Sequence, residues 1–324
     1  MAPRRRWEGV DPARSLPRHL EQERRGLEDE HPGHRRRRSR RSRRGHAHHD
    51  AATHDERRAL MGRMEGKSAV VTGGARGIGE GIVRRYVAEG ARCVIADIDV
   101  EAGERLAAEL GDAVVFLRTD VTSEEDVVAA IEACQNSFGS LDVMINNAGV
   151  VGVQGPIADT PLDQYERTMA ILLTSVFLGT KHAMAVMKQQ GHGAIINTSS
   201  TAGVQGGLGP HVYSTAKHGV IGLSKSVAVE AAPHGIRVNV ICPGATLSSL
   251  TAGLVAGDKD ALDAAYERLS SKYPGGKAPR PEDMANAAVW LGSDEGRFMN
   301  GAVIVMDAGK EVLSDRAAKF YPVD

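Results

Sequence analysis

The chain has 324 residues and a formal net charge of −1, with 40 Lys and Arg against 41 Asp and Glu. Three cysteines exclude a disulfide-built secreted scaffold, and the absence of any uninterrupted apolar run of about 20 residues argues against a membrane-spanning helix. The balanced charge hides an uneven distribution: residues 1–63 hold 18 Arg, no Lys and 10 acidic residues, a net of +8, so the remainder carries −9.

Residues 1–63 therefore read as a disordered basic extension, or as upstream sequence joined by a mis-assigned start, with Met64-Glu65-Gly66-Lys67 as a natural beginning. The run from His34 to Arg44 could attract phosphates, but no aromatic residue interleaves it and no binding fold surrounds it, so no nucleic-acid partner is expected. His46, His48, His49 and His54 lack the scaffold of a defined metal site, and none is expected. No apolar stretch follows the arginines, so the segment is not a secretory signal, and reduced core thiols at Cys93, Cys134 and Cys242 fit a cytoplasmic protein.

From residue 64 onward the pattern alternates. Ser68-Ala69-Val70-Val71-Thr72 is a short apolar run that reads as a buried strand. Gly73-Gly74-Ala75-Arg76-Gly77-Ile78-Gly79 follows and a helical pattern begins at Glu80. Strand, glycine-rich turn and helix form the setting a dinucleotide requires: Gly73 for the turn, Gly77 for close approach of backbone to a diphosphate, Gly79 for packing of helix on strand. The helix N-terminus then offers its N–H groups to the phosphates. The next strand, 92–97, ends in Asp97, whose carboxylate would accept from adenosine ribose hydroxyls and repel a 2′-phosphate. This favours NAD over NADP, although Arg76 beside the turn could also bind a phosphate.

Further strands are predicted at 113–118, 141–146, 193–199, 236–241 and 302–306, with helices at 123–137, 161–190, 212–232 and 281–292. Such alternation implies a doubly wound α/β domain, 64–324, with a parallel sheet covered on both faces. Residues at strand C-termini should then converge on one cleft, among them Gly73, Asp97, Asp120, Asn147 and Ser200. Within the 212–232 helix, Tyr213 and Lys217 stand four residues apart and so on one face. An ammonium beside a phenol favours the phenolate, and a phenol so tuned can exchange a proton with an alcohol. Ser200, thirteen positions before the tyrosine, could hold the substrate oxygen.

Thr72-Gly73-Gly74-Ala75-Arg76-Gly77-Ile78-Gly79, Asn146-Asn147-Ala148-Gly149, Ser200, Tyr213xxxLys217 and Pro243-Gly244 occur in an order and spacing that resembles the short-chain dehydrogenase/reductase family, over about 67–309. The resemblance implies a single Rossmann-type domain with a seven-stranded parallel sheet, a nicotinamide cofactor and alcohol–carbonyl redox chemistry. It implies Tyr213 as acid/base, Ser200 as orienter of the substrate oxygen, and Lys217 as holder of the nicotinamide ribose that also lowers the tyrosine pKa. Asp120 and Val121 would flank the adenine, and Asn147 would sit by the adenosine ribose and brace the central strands. Pro243, Gly244 and Ser248 would lie near the nicotinamide, and Gly73, Arg76, Gly77, Ile78, Gly79 and Asp97 complete the expected cofactor set. Leu172 departs from the pattern, standing where the family has an Asn that holds a water in a proton relay.

Residues 247–281 should form the lid over the substrate, and Val151-Gly152-Val153-Gln154-Gly155-Pro156 the opposite wall, an apolar lining suited to a secondary or cyclic alcohol or its ketone. A homotetramer or homodimer is expected through the 161–190 and 212–232 helices, with 310–324 reaching toward a neighbouring subunit. The expectation is an NAD-dependent oxidoreductase; the alternative, raised by Leu172, is an NAD-binding pseudoenzyme or scaffold.

Overall fold

A computed structural model describes residues 62–311. The basic extension, save Gly62 and Arg63, and residues 312–324 lie outside the described residues. The strands are β1 Ser68–Thr72, β2 Arg92–Asp97, β3 Val114–Arg118, β4 Val143–Asn146, β5 Gly193–Thr198, β6 Ile236–Pro243 and β7 Val303–Met306. The principal helices are α1 Gly77–Ala88, α2 Val100–Leu110, α3 Glu124–Phe138, α4 Leu162–Met169, α5 Ser175–Gln190, α6 His211–Ala231, α7 Ser249–Ala256, α8 Leu262–Ser270 and α9 Pro281–Gly292.

All seven strands run parallel in the order β3-β2-β1-β4-β5-β6-β7. The expected seven-stranded sheet and its strand positions are thus met to within two residues at each end. The order reverses between β1 and β4, which opens a crevice at their carboxyl ends.

Successive strand residues feed opposite faces, as a period of two requires. Val71, Ile95, Ile145 and Ile196 pack under α1 and α9 against Ile82, Tyr86, Met284 and Ala288. Their neighbours Val70, Val94, Met144 and Ile195 pack under α3 and α5 against Ile131, Cys134 and Met187. Both faces are therefore closed, and the strands can be apolar throughout. Tyr86 spans the first layer and donates its hydroxyl to the Ala288 carbonyl at 2.8 Å.

The domain begins before Met64 in its contacts. Arg63 donates its backbone N–H and a guanidinium N–H to Glu89, at 3.0 and 2.6 Å. That pairing pulls the Glu89 carboxyl down to about 2, so its stabilisation is present above the ordinary 4.5 and is lost as pH falls toward 2.

The 161–190 helix of the sequence reading is interrupted. Ala170–Thr174 forms a π-turn between α4 and α5. A side-chain periodicity of 3.6 cannot reveal one extra residue in a turn, and such bulges concentrate at functional sites. By length and composition the whole stretch Leu162–Gln190 could cross a membrane; here Leu178, Ala183, Met184 and Met187 bury into the core.

A buried polar chain ties α5 and α6 to the sheet. Asn146 donates to the Asn197 side-chain oxygen at 2.8 Å and to Thr180 Oγ1 at 3.3 Å; Asn197 donates to Ser224 Oγ at 2.8 Å. Replacing Asn197 with Val would leave Asn146 short of its best acceptor and Ser224 short of a donor. A loss of about 2–4 kcal/mol is expected, read as a lowered urea midpoint with unchanged m. An unchanged midpoint would mean that the chain contributes no net stability.

Candidate active site

Below the β1–β4 crevice lies one cleft of about 750 Å³, within the range of a cofactor site. Its lining includes Gly73, Arg76, Gly77, Ile78, Asp97, Asp120, Val121, Asn147, Ser200, Tyr213, Lys217, Pro243, Gly244 and Ser248. Every site residue expected from the sequence converges there except Gly79. Gly79 is buried, and a Cβ on it would run into the Gly73 carbonyl and the Asn147 amide. Its role is to bring α1 against the turn, a packing role, so it does not face the cleft.

The turn fits a dinucleotide. Gly73 and Gly77 adopt φ of +61° and +54°, which L side chains resist. A Cβ on Gly73 would lie 2.8 Å from Ala148 Cα, and one on Gly77 3.1 Å from Ser248 Cβ. The N–H groups of α1 consequently open on bare backbone, the cradle a diphosphate needs. Thr72 Oγ1 supports this floor by accepting from the N–H groups of Asn147 and Ala148 at 3.0 and 3.2 Å. Asn147 braces β1 as expected, donating to the Thr72 carbonyl at 3.1 Å.

At the end of β2, Asp97 accepts from the N–H groups of Ala75 and Asp99 at 2.9 and 3.0 Å. It thereby holds the glycine turn against the neighbouring strand. Arg76, weighed above as a phosphate ligand, is engaged: its Nε donates to Asp99 Oδ2 at 2.6 Å, and that carboxylate also caps α2. Asp120 accepts from the Thr122 N–H and hydroxyl, which lowers its carboxyl below the usual range.

On the other side of the crevice the helical register of α6 stacks Tyr213 and Lys217. Lys217 is 4% exposed and donates Nζ to the Thr198 carbonyl at 2.9 Å. Its ammonium stands 5.7 Å from the centre of the Tyr213 ring. Burial pushes Lys217 down from 10.5 to about 8. Ser200 is near enough to the Tyr213 phenol to favour its charged form, and its Oγ accepts from the Ala202 N–H at 3.2 Å. One sequence expectation fails here. Tyr213 lies above its ordinary value, because burial outweighs the opposing influence of Ser200, and the Lys217 ammonium does not pull it down.

Two neighbours, Ser199 and Cys242, escaped the sequence reading as parts of the site, and a third, Leu172, is expected there. Ser199 donates Oγ to the Lys217 carbonyl at 2.7 Å and so pins α6 to the end of β5. Cys242 interacts with Ser199, Ser200 and Lys217, although its burial holds the thiol up at about 11. A side chain beside a catalytic serine is invisible in a sequence when it arrives from a strand about forty residues away. Leu172, on the π-turn, is fully buried and reaches toward Gly149: a Cβ there would lie 3.3 Å from Leu172 Cδ2 and 3.8 Å from Lys217 Nζ. An apolar methyl and a buried ammonium thus both border Gly149.

The lid forms as α7 and α8, broken at Gly257 with φ of +77°. Ser248 caps α7 reciprocally with Thr251. The opposite wall contributes Gly149 and Val150 to the cleft lining, whereas the expected Val151 to Pro156 stretch does not line it. Among the described residues no group of His, Cys, Asp and Glu has the arrangement of a metal site.

Comparison with known proteins adds the following. A family model described as enoyl-(acyl carrier protein) reductase matches residues 73–311. Momilactone A synthase of Oryza sativa subsp. japonica is 40% identical over 78% of this chain and 92% of its own. (+)-Borneol dehydrogenase 2 of Salvia officinalis is 40% identical over 84% of this chain and 99% of its own. The 3-alpha-(or 20-beta)-hydroxysteroid dehydrogenase of Mycobacterium tuberculosis is 40% identical over 77% and 91%. The crystal structure of levodione reductase superposes with a TM-score of 0.71 at 30% identity, covering 77% of this chain and 99% of that one.

Proposed function

The chain belongs to the short-chain dehydrogenase/reductase family, and from that premise we propose that it is an NAD-dependent oxidoreductase interconverting a bulky apolar secondary or cyclic alcohol and its ketone. The observation that carries this reading is the meeting of Ser200, Tyr213 and Lys217 at the floor of the same cleft that the glycine turn enters. Relatives named for a borneol and a hydroxysteroid support the apolar, ring-shaped substrate class.

Gly73, Gly77, Ile78 and Asn147 would cradle the dinucleotide, with Asp97 on the adenosine ribose and Asp120 and Val121 by the adenine. The carboxylates of Asp97 and Asp99, together with the engagement of Arg76 by Asp99, disfavour a 2′-phosphate and support NAD. Pro243, Gly244 and Ser248 would border the nicotinamide, which when bound supplies the hydride chemistry. The protein manages the proton. Ser200 orients the substrate oxygen and Tyr213 gives or takes its proton, while the Lys217 ammonium holds the ribose. Leu162, Tyr165 and Phe177 expose apolar surface on α4 and α5, which supports pairing of subunits through these helices.

The test is reduction of NAD by a panel of bornane, steroid and monocyclic secondary alcohols, followed by the absorbance of the reduced nicotinamide. Turnover with NAD at least about tenfold preferred over NADP is expected; a preference for NADP would overturn the cofactor assignment. Leu172 favours a second reading, a cofactor-binding protein without turnover, because an apolar side chain stands where the resemblance places the relay Asn. The two readings separate on Leu172→Asn. If proton delivery limits the parent, the variant gains about tenfold or more. Silence of both proteins with NADH still bound would support the binding role.

A further inference from the structure

The cleft carries a cation that the chemistry above does not use. Four basic side chains line it: Arg76, Arg167, Lys217 and Lys259. Arg76 is bonded to Asp99, Lys217 to the Thr198 carbonyl, and Arg167 acts on Asp120. Lys259 is exposed and, among the described residues, its ammonium has no ion pair or hydrogen bond. It comes from the lid, on the turn between α7 and α8.

That turn is a built element. The left-handed Gly257 ends α7, Asp258 Oδ1 accepts from the Asp260 N–H at 2.9 Å, and Arg268 reaches back from α8 to the Val255 carbonyl at 2.7 Å. The base of the hairpin abuts the glycine turn, where Ser248 meets Gly77. Its tip returns to the rim, and Asp260 is near enough to Arg76 to act on its charge. Base and tip of the hairpin therefore both stand at the glycine-turn end of the cleft, where the dinucleotide phosphates would lie. A diphosphate there would carry two negative charges, and the α1 N-terminus supplies only N–H groups and a partial positive charge.

We propose that Lys259 is a cofactor-binding residue, its ammonium pairing with the diphosphate of the dinucleotide when the hairpin rests on the rim. This rests on the reading of the cleft as a nicotinamide dinucleotide site. It makes the lid a clamp on the cofactor as well as a cover on the substrate. The diphosphate is favoured over a 2′-phosphate because Asp97 and Asp99 hold negative charge at the adenosine end.

The experiment is equilibrium titration of the full chain with NADH, NADPH and ADP-ribose, by nicotinamide fluorescence and calorimetry, at two salt concentrations. Lys259→Gln and Lys259→Arg are compared with the parent. Lys277→Gln is the control, since Lys277 lines a separate hollow beside Tyr266 and Arg280. Lys259→Gln is expected to weaken NADH and ADP-ribose alike by about tenfold, the scale of one charge-assisted hydrogen bond, and to flatten the salt dependence. Lys259→Arg restores most of the affinity, and Lys277→Gln leaves it unchanged. Because Lys259 is exposed, its replacement does not disturb the core. Equal affinity of Lys259→Gln and parent would overturn the proposal and leave the dinucleotide reading standing. A loss confined to NADPH would overturn the diphosphate assignment in favour of a 2′-phosphate. Failure of the parent to bind any of the three would overturn both.

Discussion

Tyr213→Phe is expected to lower kcat by about a thousandfold, within the usual range for loss of a general acid/base, and to leave NADH affinity within about twofold. Phenylalanine keeps the ring, its volume and its place 5.7 Å from the Lys217 ammonium, so only the hydroxyl and the influence of Ser200 on it are lost. The direction of the reaction should show in the pH profile. A phenol held above its ordinary value is protonated at neutral pH and is ready to donate to a carbonyl. Ketone reduction should therefore change little between about pH 5 and 7, below the range in which Lys217 and the phenol titrate, while alcohol oxidation, which needs the phenolate, should climb with pH. Retained turnover in Tyr213→Phe would remove Tyr213 from the chemistry.

Lys217→Met should cost turnover on a similar scale and should also alter how stability responds to alkali. Lys217 binds its proton up to about 8 in the folded protein and up to 10.5 once unfolded. Between those values the unfolded chain holds more protons, so this residue makes stability rise with pH. The size is on the order of 3 kcal/mol for a group this deeply buried. Other groups work in the opposite sense. Burial raises Cys134 and Tyr273 to about 12, so the unfolded chain loses their protons first and stability falls. These contributions are common to both proteins. The difference between parent and Lys217→Met, measured by urea unfolding from pH 8 to above 10, isolates the lysine; a flat difference would mean that the ammonium is not desolvated.

The sheet was legible because each strand is a short apolar run followed by a glycine or polar residue at its carboxyl end. The site was legible for the same reason. Gly73, Asp97, Asp120, Asn147 and Ser200 stand at strand ends, and a doubly wound sheet brings strand ends together. What escaped depends on atoms rather than spacing. The π-turn at Ala170–Thr174 keeps the hydrophobic pattern of a plain helix. Arg76 looks the same in sequence whether it faces a phosphate or Asp99. The pull of Lys217 on Tyr213 was inferred from proximity, and it failed because the phenol is enclosed and burial raises it. Lys259 gave no signal, because one lysine in a polar turn resembles any other until the hairpin folds back.

The lid has a small core of its own. Leu269, Tyr273 and Ala278 pack with Ala245, Val255 and Tyr266, apart from the two layers that flank the sheet. Elements with separate cores open with separate free energies. Changes in α7 and α8 should thus draw little on the stability of the strands that hold Ser200 and the glycine turn. A lineage built this way can try many lids on one chassis, exploring new substrates while the machinery for moving a hydride and a proton stays intact.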